Sequence, residues 1–341
     1  MQEKLRLRES AYILKETEDK YHVVFTNTRK IKTYNVDGLV KGLIDELKDE
    51  SNRSQVIKNL ESKFDSKNIS VCLSALEKEG IVRTYNEYTN QRFARQISFI
   101  DELTDSWDET LKLQKKLQTS KVSVFGVGGI GTWMVNGLYQ IGIGTINIAD
   151  LDVVQESNLN RQLFFNEGDI GKYKVDVMKE KLPNANINSY KNWVSESQDL
   201  TPLVKGVDFL VNCADNPSIH ETTKIIDTFA TKYNVPYCVA GGYNMHLGMV
   251  GPIIMPGKTA KFEDFLRFQK ENDPLKGFEM IKDIEQTGSL GPIAGAVANI
   301  QVMEIFKHLI DKGKRNYNRF AEIDFMDFKV EWREFGPQPS L

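Results

Sequence analysis

The chain has 341 residues, 40% of them hydrophobic, enough for one large or two modest domains with a substantial core. Its 44 basic and 47 acidic side chains leave a formal charge of -3, which gives no reason to expect nucleic acid or an anionic membrane as a partner, and no apolar run reads as long enough to span a bilayer. Three scattered cysteines (Cys72, Cys213, Cys238) argue against a disulfide framework, and the opening MQEKLRLRES lacks a signal-peptide core, so a reducing cytoplasm is the expected home.

Taken in order, residues 11–35 read as two or three short strands, YILK, KYHVVFT and KIKTYNV, alternating imperfectly between apolar and polar. From Val36 the period becomes helical. Leu39, Val40, Leu43, Ile44 and Leu47 share one face, Val56, Ile57 and Leu60 begin a second helix, and Val71, Leu73 and Leu76 mark a third that Gly80 ends. A small sheet with three short helices is the plan of a winged-helix α+β domain, assigned to residues 1–85. The net charge and the acids Asp45, Glu46, Asp49 and Glu50 disfavour DNA binding. The rhythm, closing on Leu73-x-x-Leu76-x-x-x-Gly80-Ile81-Val82, resembles the small domains that bind leader peptides in ribosomal-peptide maturation. Such domains clamp a peptide by adding it as a strand to an exposed sheet edge. Residues 86–118 read as a helical connector that contains Arg92-Phe93-Ala94-Arg95-Gln96 and a polar helix from Trp107 to Gln118.

From residue 119 strands and helices alternate, which predicts an α/β fold with a Rossmann-like, largely parallel sheet covered on both faces. The expected strands are Ser120–Phe125, Thr145–Ala149, Ile187–Tyr190, Asp208–Cys213 and Tyr237–Ala240. The stretch from Lys121 to Asp152 organises this domain. A strand runs into Gly126-x-Gly128-Gly129-x-Gly131, a helical run follows, and a second strand ends on Asp150. That order fits a dinucleotide fingerprint, with an acid roughly 20 residues on to accept a ribose hydroxyl. The glycines let backbone approach a phosphate while helix N–H groups point at it. Residues 258–290, polar and weakly periodic, read as a mobile crossover segment covering the site. A final helix from Ala294 to Ile310 precedes C-terminal strands rich in aromatics.

Ligands in such sheets bind beyond the carboxyl ends of the strands, and the informative residues fall there. Asp150 and Asp152 are followed by Asn158, Arg161 and Gln162, then by Lys172 and Lys174, and Asp215-Asn216 ends a later strand. A glycine turn and a helix end satisfy a pyrophosphate. An asparagine, an arginine and one or two lysines converging after one strand pair suit the extra charge of a triphosphate. Asp215 would then hold Mg²⁺ between phosphates. Singly, Arg161 reads as a surface ion pair, Lys174 as a solvated helix face and Asp215 as a helix cap; the joint spacing points to ATP. His22, His220, His246 and His308 show no metal spacing, and Tyr243 after Gly241-Gly242 is a candidate substrate contact.

G-x-G-G-x-G, D-x-D-x-V, S-N-L-x-R-Q, K-x-x-V and A-D-N resemble, as an ordered set, the adenylating enzymes related to ThiF, MoeB and the ubiquitin-activating proteins. So does the late run Gly291-Pro292 through Gly295, Gln301, Glu304 and Lys307, and the resemblance covers roughly residues 90–325. It implies that Asp150 binds ribose, that Asn158, Arg161 and Lys174 bind phosphates, and that Asp215 serves the metal. Asp152, Gln162 and Asn216 complete the nucleotide site, and Arg95 reaches into the partner subunit's site of a homodimer. The implied chemistry is attack of a carboxylate on the α-phosphate of ATP with loss of pyrophosphate, after which a second nucleophile displaces AMP.

Two departures narrow this. The paired C-x-x-C motifs that hold structural zinc are absent, Ala260-Lys261-Phe262-Glu263-Asp264 standing where the first would fall, and 258–290 contains no cysteine for a thioester. An N-terminal extension on such a core resembles the microcin C7 and pantocin maturation enzymes. The substrate then implied is a short ribosomal precursor peptide, held through its leader by residues 1–85. The alternatives are activation of a ubiquitin-like or sulfur-carrier protein, an NAD-dependent oxidoreductase, and a non-catalytic peptide-binding protein.

Overall fold

The structure, a computed structural model, describes residues 4–85, 90–279, 281–282, 288–337 and 339. Its contacts divide the chain into two compact units, Met1–Gln114 and Lys115–Leu341, and the division falls inside the helix Trp107–Thr119.

In the first unit, the strand Lys4–Leu7 pairs antiparallel with Ser51–Asn52 on one side and Val82–Tyr85 on the other. Helices Gly38–Glu46, Arg53–Leu60 and Ser66–Lys78 bury Leu43, Val56, Ile69 and Leu73 in one cluster with Leu5 and Val82. Each helix starts on a side-chain cap. Asp37 accepts from the Val40 amide, Asn52 from Gln55, and Asp65 from Lys67 and Asn68. The meander expected over residues 11–35 forms as Ala11–Thr17, Lys20–Phe25 and Lys30–Asn35, and Val23 and Phe25 of its middle strand reach the same core. Lys4–Leu7 escaped the sequence reading because its alternation, though regular, lasts only four residues, too short a run to register.

In the second unit, five strands lie parallel in the order Tyr237–Val239, Phe209–Asn212, Lys121–Phe125, Thr145–Ala149 and Ile187–Tyr190, with Ile253–Ile254 antiparallel at the first edge. This is the largely parallel sheet that the alternation predicts. Val122, Val124, Phe125, Phe209, Leu210 and Val211 are fully buried, as strands covered on both faces require. From Lys121–Phe125 the chain builds outward to Ile187–Tyr190, then returns across the sheet to Phe209–Asn212. Strand order therefore reverses between these neighbours, and a crevice opens beyond their carboxyl ends. A four-stranded antiparallel sheet, Tyr243–Asn244, Leu247–Val250, Arg319–Asp324 and Lys329–Glu334, completes the unit.

Two expectations change here. The helix Gly291–Ile310 is long and apolar enough, by length and composition, to cross a membrane, but 67% of its most apolar window is buried inside the fold. It packs on the helix Gly129–Gln140, where a Cβ on Gly137 would stand 2.9 Å from Val302. It is a core helix. Within 258–290 the helix Phe262–Glu271 forms, burying Phe262 and Phe265 and stacking Phe265 edge-on against Phe320 and Phe335. Its charged residues masked the aromatic row Phe262, Phe265, Phe268. Residues 280 and 283–287 of that segment lie outside the described residues.

Candidate active site

The glycine loop sits at the strand-order reversal. Gly126 has φ +84°, and a Cβ there would lie 2.7 Å from the Cys213 carbonyl oxygen, so only glycine lets the two strand ends close up. A Cβ on Gly131 would lie 2.0 Å from the Gly126 carbonyl oxygen; this glycine serves the packing of helix on strand. The helix Gly129–Gln140 begins at Gly128 with no side-chain cap, which leaves its first amides available to an anion.

Asp150 closes the neighbouring strand. Its Oδ2 accepts the Val127 amide at 2.8 Å and its Oδ1 the Asp152 amide at 2.7 Å, which fixes the carboxylate beside the glycine loop. Burial raises its pKa, against the pull of Lys174 and the two amides. Lys174, 5% exposed, stands at the first position of the helix Lys174–Lys181 and pairs with Asp152 at 2.7 Å. Arg161 Nη1 donates to the Ser157 carbonyl at 2.5 Å and to Asn160 Oδ1 at 3.0 Å, while the Arg161 carbonyl accepts Trp133 Nε1 at 3.0 Å. Asn158 is buried and accepts the Gln155 amide at 3.0 Å, and Gln162 is buried with its Oε1 unpartnered. Across the crevice, buried Asn212 donates to Thr222 and Thr223 and accepts the Ala214 amide, shaping the turn that exposes Asp215 and Asn216.

One cavity of about 640 Å³ gathers these groups: Gly126, Gly128, Gly129, Asp150, Asp152, Asn158, Arg161, Gln162, Lys174, Asp215 and Asn216 all line it. Gly131 does not, and Arg95 lies on an exposed turn of the helix Ala94–Asp101 in the first unit. Among the described residues no three His, Cys, Asp or Glu side chains cluster to hold a metal, so a cation at Asp215 would draw its other ligands from substrate oxygens and water. The cavity is also lined by Gln155, Asn192, Trp193, Tyr243 and Ser289. Asn192 and Trp193 follow a strand end, a position that by itself could have drawn attention; Ser289 had no such signal. Tyr243 Oη lies 2.5 Å from Ser289 Oγ and 3.2 Å from where a Cβ on Gly129 would stand, so this hydroxyl pair overhangs the helix start. Cys213, just past its strand, also lines the cavity; burial and then Asp215 push its thiol pKa up, so it is no ready nucleophile.

The late run Gln301, Glu304 and Lys307 lies outside this lining. Glu304 accepts the Asn316 amide at 3.0 Å and pairs with Lys307, which donates to the Lys314 carbonyl at 2.8 Å. Glu304 and Lys307 thereby fasten the turn after the core helix.

The sequence pattern of the ThiF family matches residues 93–340. A molybdopterin-synthase adenylyltransferase of Haemophilus influenzae is 27% identical over 221 residues, which span 64% of this chain and 86% of that one. The adenylyltransferase and sulfurtransferase uba4 of Emericella nidulans is 28% identical over 212 residues, and the chain spans only 42% of its length. Among solved structures, E. coli MccB with ATP superposes at a TM-score of 0.72 with 20% identity, covering 99% of this chain and 98% of that one. A second structure, the microcin C7 biosynthetic enzyme MccB in complex with N-formylated MccA, gives 0.70 at 20% identity over the same shares. At this identity the likeness establishes the fold.

Proposed function

The chain belongs to the ThiF family and is an E1-like adenylating enzyme, and we propose that it transfers AMP from ATP to a carboxyl or carboxamide group of a short, ribosomally made precursor peptide. The single observation that carries the nucleotide part is the convergence of Arg161, Lys174, Asp150 and Asp215 on one cavity around an uncapped helix start. The donor set fits the group. A capless helix end and two cations suit a phosphate chain, a fixed carboxylate suits ribose hydroxyls, and an exposed aspartate suits Mg²⁺ shared with phosphate oxygens.

In this reading Asp150 holds the ribose, Asn158, Arg161 and Lys174 hold phosphates, and Asp215 holds the Mg²⁺ that offsets phosphate charge. The substrate oxygen bonds to the α-phosphorus as the bond to the pyrophosphate oxygen breaks, and pyrophosphate leaves with the electron pair. The protein's share is positioning and charge stabilisation. The active form is a homodimer in which Arg95 of the partner subunit completes the site.

The peptide reading rests on the likeness over nearly the whole chain to MccB, one of whose structures holds N-formylated MccA, and on a first unit of winged-helix plan ahead of the catalytic unit. A second reading, activation of a sulfur-carrier protein, is favoured by the name of the Haemophilus relative. Membership of a family of adenylating enzymes removes the NAD-dependent oxidoreductase and the non-catalytic peptide-binding protein from the alternatives. ATP–pyrophosphate exchange decides between the two that stand. Exchange is expected with a short peptide encoded beside the gene and not with a carrier protein ending in Gly-Gly; the reverse outcome would establish the second reading.

A further inference from the structure

The hydroxyls of Tyr243 and Ser289 lie 2.5 Å apart, and both side chains line the nucleotide cavity. Two hydroxyls bring two protons to one hydrogen bond, so one O–H is left over. Among the described residues neither hydroxyl has a further partner. Tyr243 Oη is 3.2 Å from where a Cβ on Gly129 would stand, and Arg161 Nε approaches the same point at 3.7 Å. Arg161 engages the Ser157 carbonyl and Asn160 through Nη1 and, among the described residues, keeps Nε without an acceptor. The uncapped amides of the first helical turn stand beside them. A strand end, a loop and a helix start thus each turn a donor toward one small volume, which suits an oxygen that carries negative charge.

The hydroxyl pair is also held in place. Asn160, whose Oδ1 accepts from Arg161, donates through Nδ2 to the Ser289 carbonyl at 3.2 Å. A Cβ on Gly291 would lie 2.8 Å from the Asn160 carbonyl oxygen, so the start of the final helix abuts the same loop. We propose that Tyr243 is a phosphate-binding residue of this site: Ser289 donates to Tyr243 Oη, and Tyr243 donates its own proton to a phosphate oxygen of the nucleotide at the helix start. The order follows from position and chemistry. Tyr243 Oη is the oxygen that reaches Gly129, and a phenolic O–H polarised by a donor behind it is the stronger donor of the two. Ser289 is then a positioning residue. The inference rests on the adenylation reading, which supplies the nucleotide.

Calorimetry on the full chain with MgATP and, separately, with adenosine tests it. Tyr243→Phe should melt like wild type and bind MgATP about tenfold more weakly, the weight of a hydrogen bond to a charged oxygen. Adenosine, which has no phosphate, should bind that variant within about twofold of wild type. Ser289→Ala keeps the phenol and should lose about threefold for MgATP, again with adenosine unaffected. Unchanged MgATP affinity in Tyr243→Phe overturns the proposal. So does an equal loss for adenosine and MgATP, or a loss in Ser289→Ala as large as that in Tyr243→Phe, since each reduces the pair to a tie for the segment ahead of the final helix. The adenylation reading fails differently. MgATP bound with the Tyr243 dependence intact, but no pyrophosphate exchange with either the neighbouring peptide or a Gly-Gly carrier, would remove that reading and leave the phosphate contact standing.

Discussion

Lys174 and Asp152 form an unequal ion pair: at 2.7 Å separation, the lysine side chain is 7% exposed and the aspartate 48%. The ammonium is also at the first position of a helix, where the macrodipole disfavours a cation. Two unfavourable terms thus fall on one charge, offset by Asp152 and by the nearby Asp150 carboxylate. An anionic ligand in the cavity would complete the compensation.

The asymmetry predicts unequal mutants. Asp152→Asn strands a buried ammonium and should cost about 3 kcal/mol, part of it recovered when ATP is present. Lys174→Met removes the buried charge with an apolar chain of similar length and should cost no more than about 1 kcal/mol, yet reduce pyrophosphate exchange by about 100-fold. Thermal melts with and without ATP measure the first, exchange rates the second. A larger loss of stability in Lys174→Met than in Asp152→Asn would contradict the argument.

Two glycines of the loop should separate fold from ligand. A Cβ on Gly131 meets the Gly126 backbone oxygen at 2.0 Å, which nothing flexible can relieve, so Gly131→Ala should destabilise the second unit by about 3 kcal/mol or more. At Gly129 the nearest atoms are the Tyr243 hydroxyl at 3.2 Å and the Arg161 side chain at 3.7 Å, both free to shift. Gly129→Ala should therefore leave stability within about 1 kcal/mol of wild type, helped by alanine's helix propensity, while weakening ATP binding roughly tenfold. Urea unfolding and nucleotide calorimetry on both variants check the contrast.

What the sequence disclosed about this site follows from where the information lies. The glycine spacing and the acid ending the next strand are local, and Thr145–Ala149 and Ile187–Tyr190 form over the residues expected of them. Trp193 and Ser289 reach the cavity through loops whose course depends on tertiary packing, which no local pattern encodes. Gln301, Glu304 and Lys307 carried a family likeness with no indication of place, and the structure puts Glu304 and Lys307 to work on a turn. In Phe262–Glu271 the aromatic row was present in the sequence, but its charged neighbours outweighed it until Phe320 and Phe335 supplied the surface it packs on.

Arg95 offers a test that no single site can mimic. If it acts across a homodimer, Arg95→Ala and Asp215→Ala should each abolish exchange while melting like wild type. Mixing the two inactive proteins after dissociation and reassociation should restore activity, because a mixed dimer contains one site with both residues intact. Random pairing makes half the dimers mixed, with one of two sites whole, so recovery should approach about a quarter of wild type. No recovery in a mixture shown to have exchanged subunits would confine Arg95 to its own chain, and a monomer in sedimentation would remove the partner altogether.

His308 should set an acid limit on the fold. Its Nδ1 lies 2.8 Å from Tyr317 Oη, and its ring is tilted against Phe209 at 5.1 Å and set edge-on to Tyr317 at 5.9 Å. Burial first, then the neighbouring cations Arg315 and Lys116, hold its pKa down to about 4. In the unfolded chain the same imidazole titrates near 6.5. Between those values the unfolded state binds more protons than the folded one, so stability is complete above about pH 6.5 and is lost as the pH falls toward 4. The loss attributable to this group should reach about 3 kcal/mol at the lower end. His308→Gln keeps a hydrogen-bonding side chain that does not titrate, and urea midpoints measured from pH 7 to pH 4.5 should fall less steeply in that variant than in wild type. Equal slopes in the two proteins would assign the acid sensitivity to other groups.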